Sequence, residues 1–294
     1  ALALASGSAA AQTMQDMPGM QMPAQQQPQT PPPPPPPAQG HDDHRDMQMQ
    51  MDMPGMDMGE PMSMSGALGD YSMNREASGT SWQPDASEHG GVHVMHGPWM
   101  LMGHMTLNGV YDWQGGPRGD EKAFVSGMIM GMAQRSLANG DTLNLRAMLA
   151  PDPLMGANGY PLLLQTGETA NGVTPLVDRQ HPHDLFMELS ASYAHQLSGH
   201  NSVFVYGGLP GEPAFGPPAF MHRMSAMDSP EAPLTHHWLD STHVTFGVIT
   251  AGFVHDNWKI EASRFRGREP DQHRYDIETG ALDSTAVRVS CNPN

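Results

Sequence analysis

The sequence predicts an all-β chain: an antiparallel transmembrane β-barrel of the outer-membrane type, behind a disordered arm rich in methionine and proline. Three observations carry this. Residues 99–113 alternate between two faces with period two, over a run longer than an ordinary globular strand. The segments joining strand-like stretches alternate between long and short. Residues 12–66 hold almost no branched or aromatic side chains from which a core could form.

The chain has 294 residues and a formal net charge of -17, from 31 acidic against 14 basic side chains. Lys122 and Lys259 are its two lysines. Affinity for nucleic acid comes from cations on phosphates, so this balance argues against such a partner and suits cation binding. A single cysteine, Cys291, excludes an intrachain disulfide and a multi-thiolate zinc site. At the N-terminus, residues 1–11 pass from an Ala/Leu run to Ala9-Ala10-Ala11, which reads as the remnant of a secretory signal. No run of 18 apolar residues occurs, so a membrane-crossing segment would have to be a strand.

The arm, 12–69, repeats Asp-Met-Pro-Gly-Met at 16–20 and 52–56, on either side of the proline run Pro31 to Pro37. Such a run forms a stiff polyproline spacer. The arm carries 12 of the chain's 26 methionines: Met14, Met17, Met20, Met22, Met47, Met49, Met51, Met53, Met56, Met58, Met62 and Met64. Thioethers are soft, neutral donors that select Cu(I) and need no deprotonation. An arm without a core gives them no packing role, which leaves metal capture or sacrificial oxidation. His41 and His44 flank two aspartates beside the second cluster and suit Cu(II) or Zn(II).

Residues 70–98 read as a linker leading into the barrel, which spans 99–294. In 99–113 one face presents Trp99, Leu101, Gly103, Met105, Leu107, Gly109, Tyr111 and Trp113, with aromatic residues at both ends. From Trp99 to Tyr111 such a strand runs about 40 Å, and at a tilt of roughly 40° it rises about 30 Å, near the height of an outer-membrane apolar band and its girdles. Further strands are expected at 122–135, 141–150, 184–197, 202–209, 242–255, 257–266 and 284–291. Between them 114–121, 151–183, 210–241 and 267–283 are long, while the links near 136–140, 198–201 and 255–257 are tight turns. Arg146, Glu188 and Glu261 fall on the opposite face, as a polar lumen requires. The last strand lacks the usual aromatic end, so the barrel is expected to continue past Asn294.

The long loops carry His181, His183, His222, His236 and His237. With Asp178 and Asp240 nearby these imidazoles either converge on an ion or serve as ordinary loop polarity and packing. His104 and His243 fall in strand phase and are expected to line the lumen. Met128, Met130 and Met132 share a face of one strand, either as packing or as an inward thioether ladder. No serine-nucleophile, phosphate-loop or zinc-protease motif occurs, so no catalytic role is expected.

The arm resembles the methionine-rich N-terminal region of copper resistance protein B. Four stretches of the remainder, about 70–290, resemble an uncharacterised proteobacterial family of outer-membrane proteins, often encoded near heavy-metal resistance genes. They are Gly116 to Asp120, Asp178 to Leu185, Gly211 to Pro218 and Arg266 to Asp271. The resemblance implies an outer-membrane location with the arm in the periplasm, lipid and metal ions as partners, and other copper-resistance proteins as neighbours. From residues and resemblance together, the expected function is a barrel with a Cu(I)-binding arm that contributes to copper tolerance. The alternatives are a soluble periplasmic metal buffer and a loop-histidine metalloenzyme.

Overall fold

The computed structural model describes residues 65–72, 91–216, 219–222, 226–239 and 243–291. The chain divides at Met58/Gly59 into two units, and all described residues belong to the second. The signal remnant and every proposed metal ligand of the arm, Met14 to Met64 with His41 and His44, lie outside the described residues.

The described chain is all-β and antiparallel, with almost no helix. A hairpin comes first, β1 (Ser65–Gly66) and β2 (Gly69–Ser72), and its β1 lies where the end of the arm was expected. Then follow β3 (Val92–His96), β4 (Trp99–Trp113), β5 (Glu121–Ser136) and β6 (Thr142–Leu149). A second hairpin, β7 (Tyr160–Thr169) and β8 (Pro175–Gln180), interrupts the series. It resumes with β9 (Phe186–Ser198), β10 (Asn201–Gly208), β11 (Val248–His255), β12 (Trp258–Phe265) and β13 (Ser284–Cys291). Nine of these form one sheet in the order β13-β12-β11-β10-β9-β6-β5-β4-β3. Every neighbour is antiparallel and, apart from the β7–β8 excursion, next in sequence. All long connections therefore leave one end of the sheet and all tight turns the other. Among the described residues β3 and β13 are its two edges.

Strand alternation turns the apolar face outward. Leu107 is 62% exposed, Ile129 51%, Ile249 60% and Ile260 48%, whereas Glu188 and Glu261 on the other face are 2% and 4% exposed. Tyr111 and Trp113 mark the long-loop end of the outward face, and Trp99 and Trp258 the turn end. Water disfavours such a contiguous apolar surface, which soluble monomers rarely show.

The inner face pairs its charges, as burial demands. Arg146 lies 3.3 Å from Glu188, and Glu261 lies 3.4 Å from Lys259 and 3.0 Å from Arg288. Tyr206 and Ser190 donate to the Glu188 carboxylate at 3.1 and 2.6 Å. At the turn end Tyr71 packs with Ala194, Phe204 and Val254, and the Lys259 ammonium sits 4.9 Å from the Tyr71 ring. At the long-loop end the apolar cluster is Met128, Met148, Met187, Phe220, Met221 and Met227 with small neighbours.

The structure corrects three expectations. The strand expected at 242–255 begins only at Val248, because Gly211 and Thr245 bridge in the preceding loop and Gly247 takes φ +134°. Residues 92–96, expected in a linker, pair with β4 as its outer neighbour. The stretch 151–183 holds the β7–β8 hairpin rather than a plain loop.

Candidate metal centre

Two loops bring histidines together over the long-loop end of the inner face, and a third adds a carboxylate. The first delivers the His181-Pro182-His183 segment. It leaves β8, and its base is seated by Gly159, where a Cβ would lie 1.7 Å from the Gln180 carbonyl oxygen. Phe124 of β5 stacks on Tyr160 of β7 with centroids 4.7 Å apart, which ties this hairpin to the main sheet. The Tyr160 hydroxyl accepts a hydrogen bond from the Ala232 amide at 2.8 Å, joining the hairpin to the next long loop. That loop supplies the short helix α1 (His236–Leu239) and then His243. The loop after β12 supplies Glu269.

His183, His236 and His243 form one set, whose ligating atoms all lie within 4.8 Å of one another. Their ring centroids are 5.9 Å (His183–His236), 5.4 Å (His183–His243) and 4.5 Å (His236–His243) apart. Nitrogens bound tetrahedrally to one zinc-sized ion are roughly 3.3 Å apart, given bonds of roughly 2.0–2.1 Å, so modest side-chain movement would close the set. The Asp152 carboxylate, in a 3-10 turn over Asp152–Met155, accepts from His183 Nδ1 at 2.8 Å. This fixes the tautomer and leaves Nε2 as the donor atom, the usual carboxylate–histidine–metal arrangement. Nε2 of His183 is buried and makes no hydrogen bond.

His181, His237 and Glu269 form a second set under the same 4.8 Å limit. The two Nε2 atoms are 3.0 Å apart, and His181 Nε2 lies 3.9 Å from the Glu269 carboxylate. His181 Nδ1 is turned to the Pro182 carbonyl at 3.0 Å and to Glu168 at 3.1 Å. Burial, with the Arg274 guanidinium nearby, holds the His181 imidazole well below its ordinary pKa, so it is neutral and its Nε2 lone pair can bind a metal. Gly167 seats the partner ring, since a Cβ there would lie 3.0 Å from His237 Nδ1.

Around this second set Arg274 bonds both Glu168 and Asp184, the latter at 3.3 Å. Burial pushes the Glu168 carboxyl up to about 9, against the opposing pull of Arg274 and with Glu269 adding to the rise. Burial likewise raises Asp184 to about 6, again against Arg274. The two sets adjoin: the His181 and His183 rings are 6.0 Å apart and the His236 and His237 rings 5.4 Å.

Of the loop histidines singled out in the sequence, His181, His183, His236 and His237 converge. His222 lies in a 3-10 turn, and its imidazole is outside what the structure describes. His243 does not line a strand: it sits in the loop before β11 and faces His183 and His236. Glu269 carries no ligand signal of its own in the sequence, although it lies in the distinctive stretch Arg266 to Asp271. Asp178 turns away from the histidines, bonding the Arg118 guanidinium at 2.7 and 2.5 Å. Asp240 lies outside the described residues. No family model, curated protein or solved structure matches this chain.

Proposed function

We propose that this chain is an outer-membrane β-barrel protein of copper or heavy-metal tolerance. Its arm captures Cu(I) on the periplasmic side, and its long-loop end holds Cu(II) or Zn(II) on histidines. The observation that carries the reading is the convergence of five imidazoles and a carboxylate, from three separate loops, in two adjacent three-donor sets. Imidazole and carboxylate suit these two ions, and thioethers suit Cu(I). The membrane part is supported by the outward apolar face with aromatic residues at both ends, which fits lipid contact, and by the charged inner face.

Cell fractionation and metal analysis test this together. The full-length protein should pellet with outer membranes and require detergent for extraction. It should carry zinc or Cu(II), one ion of which is lost from His183→Ala and from His236→Ala, with Cu(I) capture by the arm unaffected. Recovery as a soluble periplasmic protein would favour a metal buffer without a pore. Undiminished zinc and Cu(II) stoichiometry in both variants would remove the loop centre.

A second reading rests on one feature: a set of three protein donors leaves a fourth coordination position open, as catalytic zinc sites do. A metalloenzyme would show turnover that follows metal occupancy and fails in His243→Ala.

A further inference from the structure

Directly beside the three-histidine set lies a partly open cavity of about 40 Å³. Its lining includes Met128, Met148, Met187, Met221 and Met227, together with His183 and the oxygen-bearing side chains of Ser126 and Asp152. The first three methionines come from neighbouring strands β5, β6 and β9, and the other two from the long loop that closes over them. All five methionines are buried, between 1% and 8% exposed.

Methionine fills irregular cores, and that role must be weighed first. Two features go beyond it. Leucine and isoleucine are plentiful on the outward face of these same strands, at Ile129 and Leu145, yet the buried members of this inner cluster include neither. Thioethers are thus concentrated at the end of the sheet that carries the histidines. The space among them also exceeds the roughly 10–15 Å³ needed to admit one water, and it is bordered by an imidazole whose Nε2 is buried and makes no hydrogen bond. Simple packing would close such a gap.

We propose that this cavity is a soft-metal site that takes Cu(I) or Ag(I) on the thioethers of Met128, Met148 and Met187, with Met221 and Met227 as its lid. His183 belongs to both this chamber and the nitrogen-donor set, so the molecule keeps a sulfur site and a nitrogen site in contact. No redox step is required, because each ion enters the donor set that suits its oxidation state. This site depends neither on the arm's metal chemistry nor on membrane insertion.

The test uses the full chain with the twelve arm methionines replaced by serine, which removes their thioethers. Ag(I), a redox-silent probe, is titrated against a competing chelator, and the bound silver is examined by X-ray absorption. One Ag(I) per chain with thioether sulfur neighbours is expected. In the same background, Met128→Leu, Met148→Leu and Met187→Leu combined keep side-chain volume close to native. This variant should weaken Ag(I) at least tenfold while Zn(II) binding stays intact. Unchanged Ag(I) affinity in it would overturn the proposal, as would absence of bound silver from a parent that still binds zinc. If the triple variant also loses zinc, the parent's absorption spectrum decides: sulfur neighbours support the site, and only nitrogen or oxygen neighbours refute it.

Discussion

His183 Nδ1 lies 2.8 Å from the Asp152 carboxylate, and both groups are largely buried. The contact joins two loop segments 31 residues apart in sequence and aims one imidazole nitrogen into the histidine set. It yields the most direct prediction. Asp152→Asn should retain the fold and weaken zinc binding by about 10–100-fold, the usual loss when a partner behind a metal-bound histidine is changed. Isothermal titration measures it, and unchanged affinity would mean that His183 does not act as a ligand through Nε2.

The two donor sets should be separable. His243→Ala should remove one bound divalent ion and Glu269→Gln the other, since each belongs to one set. Gly167→Ala should act on the second set alone, by pressing a methyl group to within 3.0 Å of His237 Nδ1. Metal stoichiometry of the purified variants distinguishes these outcomes. Loss of both ions from either single-ligand variant would indicate one shared centre.

How far this site is legible in the sequence depends on what kind of pattern carries each part. Strand β4 matches the sequence expectation from Trp99 to Trp113, because a strict two-residue period over a long run is the mark of a strand with two unlike faces. Strand β13, over Ser284–Cys291, matches for the same reason. The β7–β8 hairpin is hidden because Pro161 interrupts it, Leu164 adopts φ +74° and its pairing register shifts twice, so no clean period survives. The lumen position expected for His243 comes from extending the β11 alternation too far toward the N-terminus, past a bridge and a left-handed glycine. Glu269 is illegible as a ligand because its partners come from loops whose folding over the sheet end leaves no mark on local periodicity.

A prediction at the opposite end of the sheet concerns acid stability. Asp141, in the tight turn between β5 and β6, accepts hydrogen bonds from the Tyr193 hydroxyl, His195 Nδ1 at 2.8 Å, the Gln196 amide at 3.1 Å and Asn139 Nδ2 at 2.5 Å. These donors, Tyr193 foremost, hold its carboxyl down at about 2, against an ordinary value of 3.8. A lowered folded-state pKa stabilises the fold above the unfolded value, and that contribution fades as pH falls through the folded one. Acid unfolding of the parent should therefore carry a component between about pH 4 and pH 2 that is missing from Asp141→Asn. Identical acid profiles for the two proteins would show that this turn carries no such linkage.

The outward face provides the sharpest test of the membrane reading. Leu107 sits in the middle of β4, flanked on the same face by Met105 and Gly109, and is 62% exposed. In water, replacing such an exposed side chain with arginine changes stability by roughly 0.5 kcal/mol at most. In lipid, a cation near the middle of a barrel's outer face costs roughly 2–4 kcal/mol. Leu107→Arg should therefore impair folding into detergent-free bilayers by that larger amount, with a clear drop in the outer-membrane fraction. Asn108→Arg, on the inner face one residue away, has no lipid to oppose it and should have a smaller effect on insertion. The comparison is made on denaturant unfolding curves in vesicles of defined composition. Equal, small shifts for both variants would mean that the apolar face of this sheet is covered by something other than lipid.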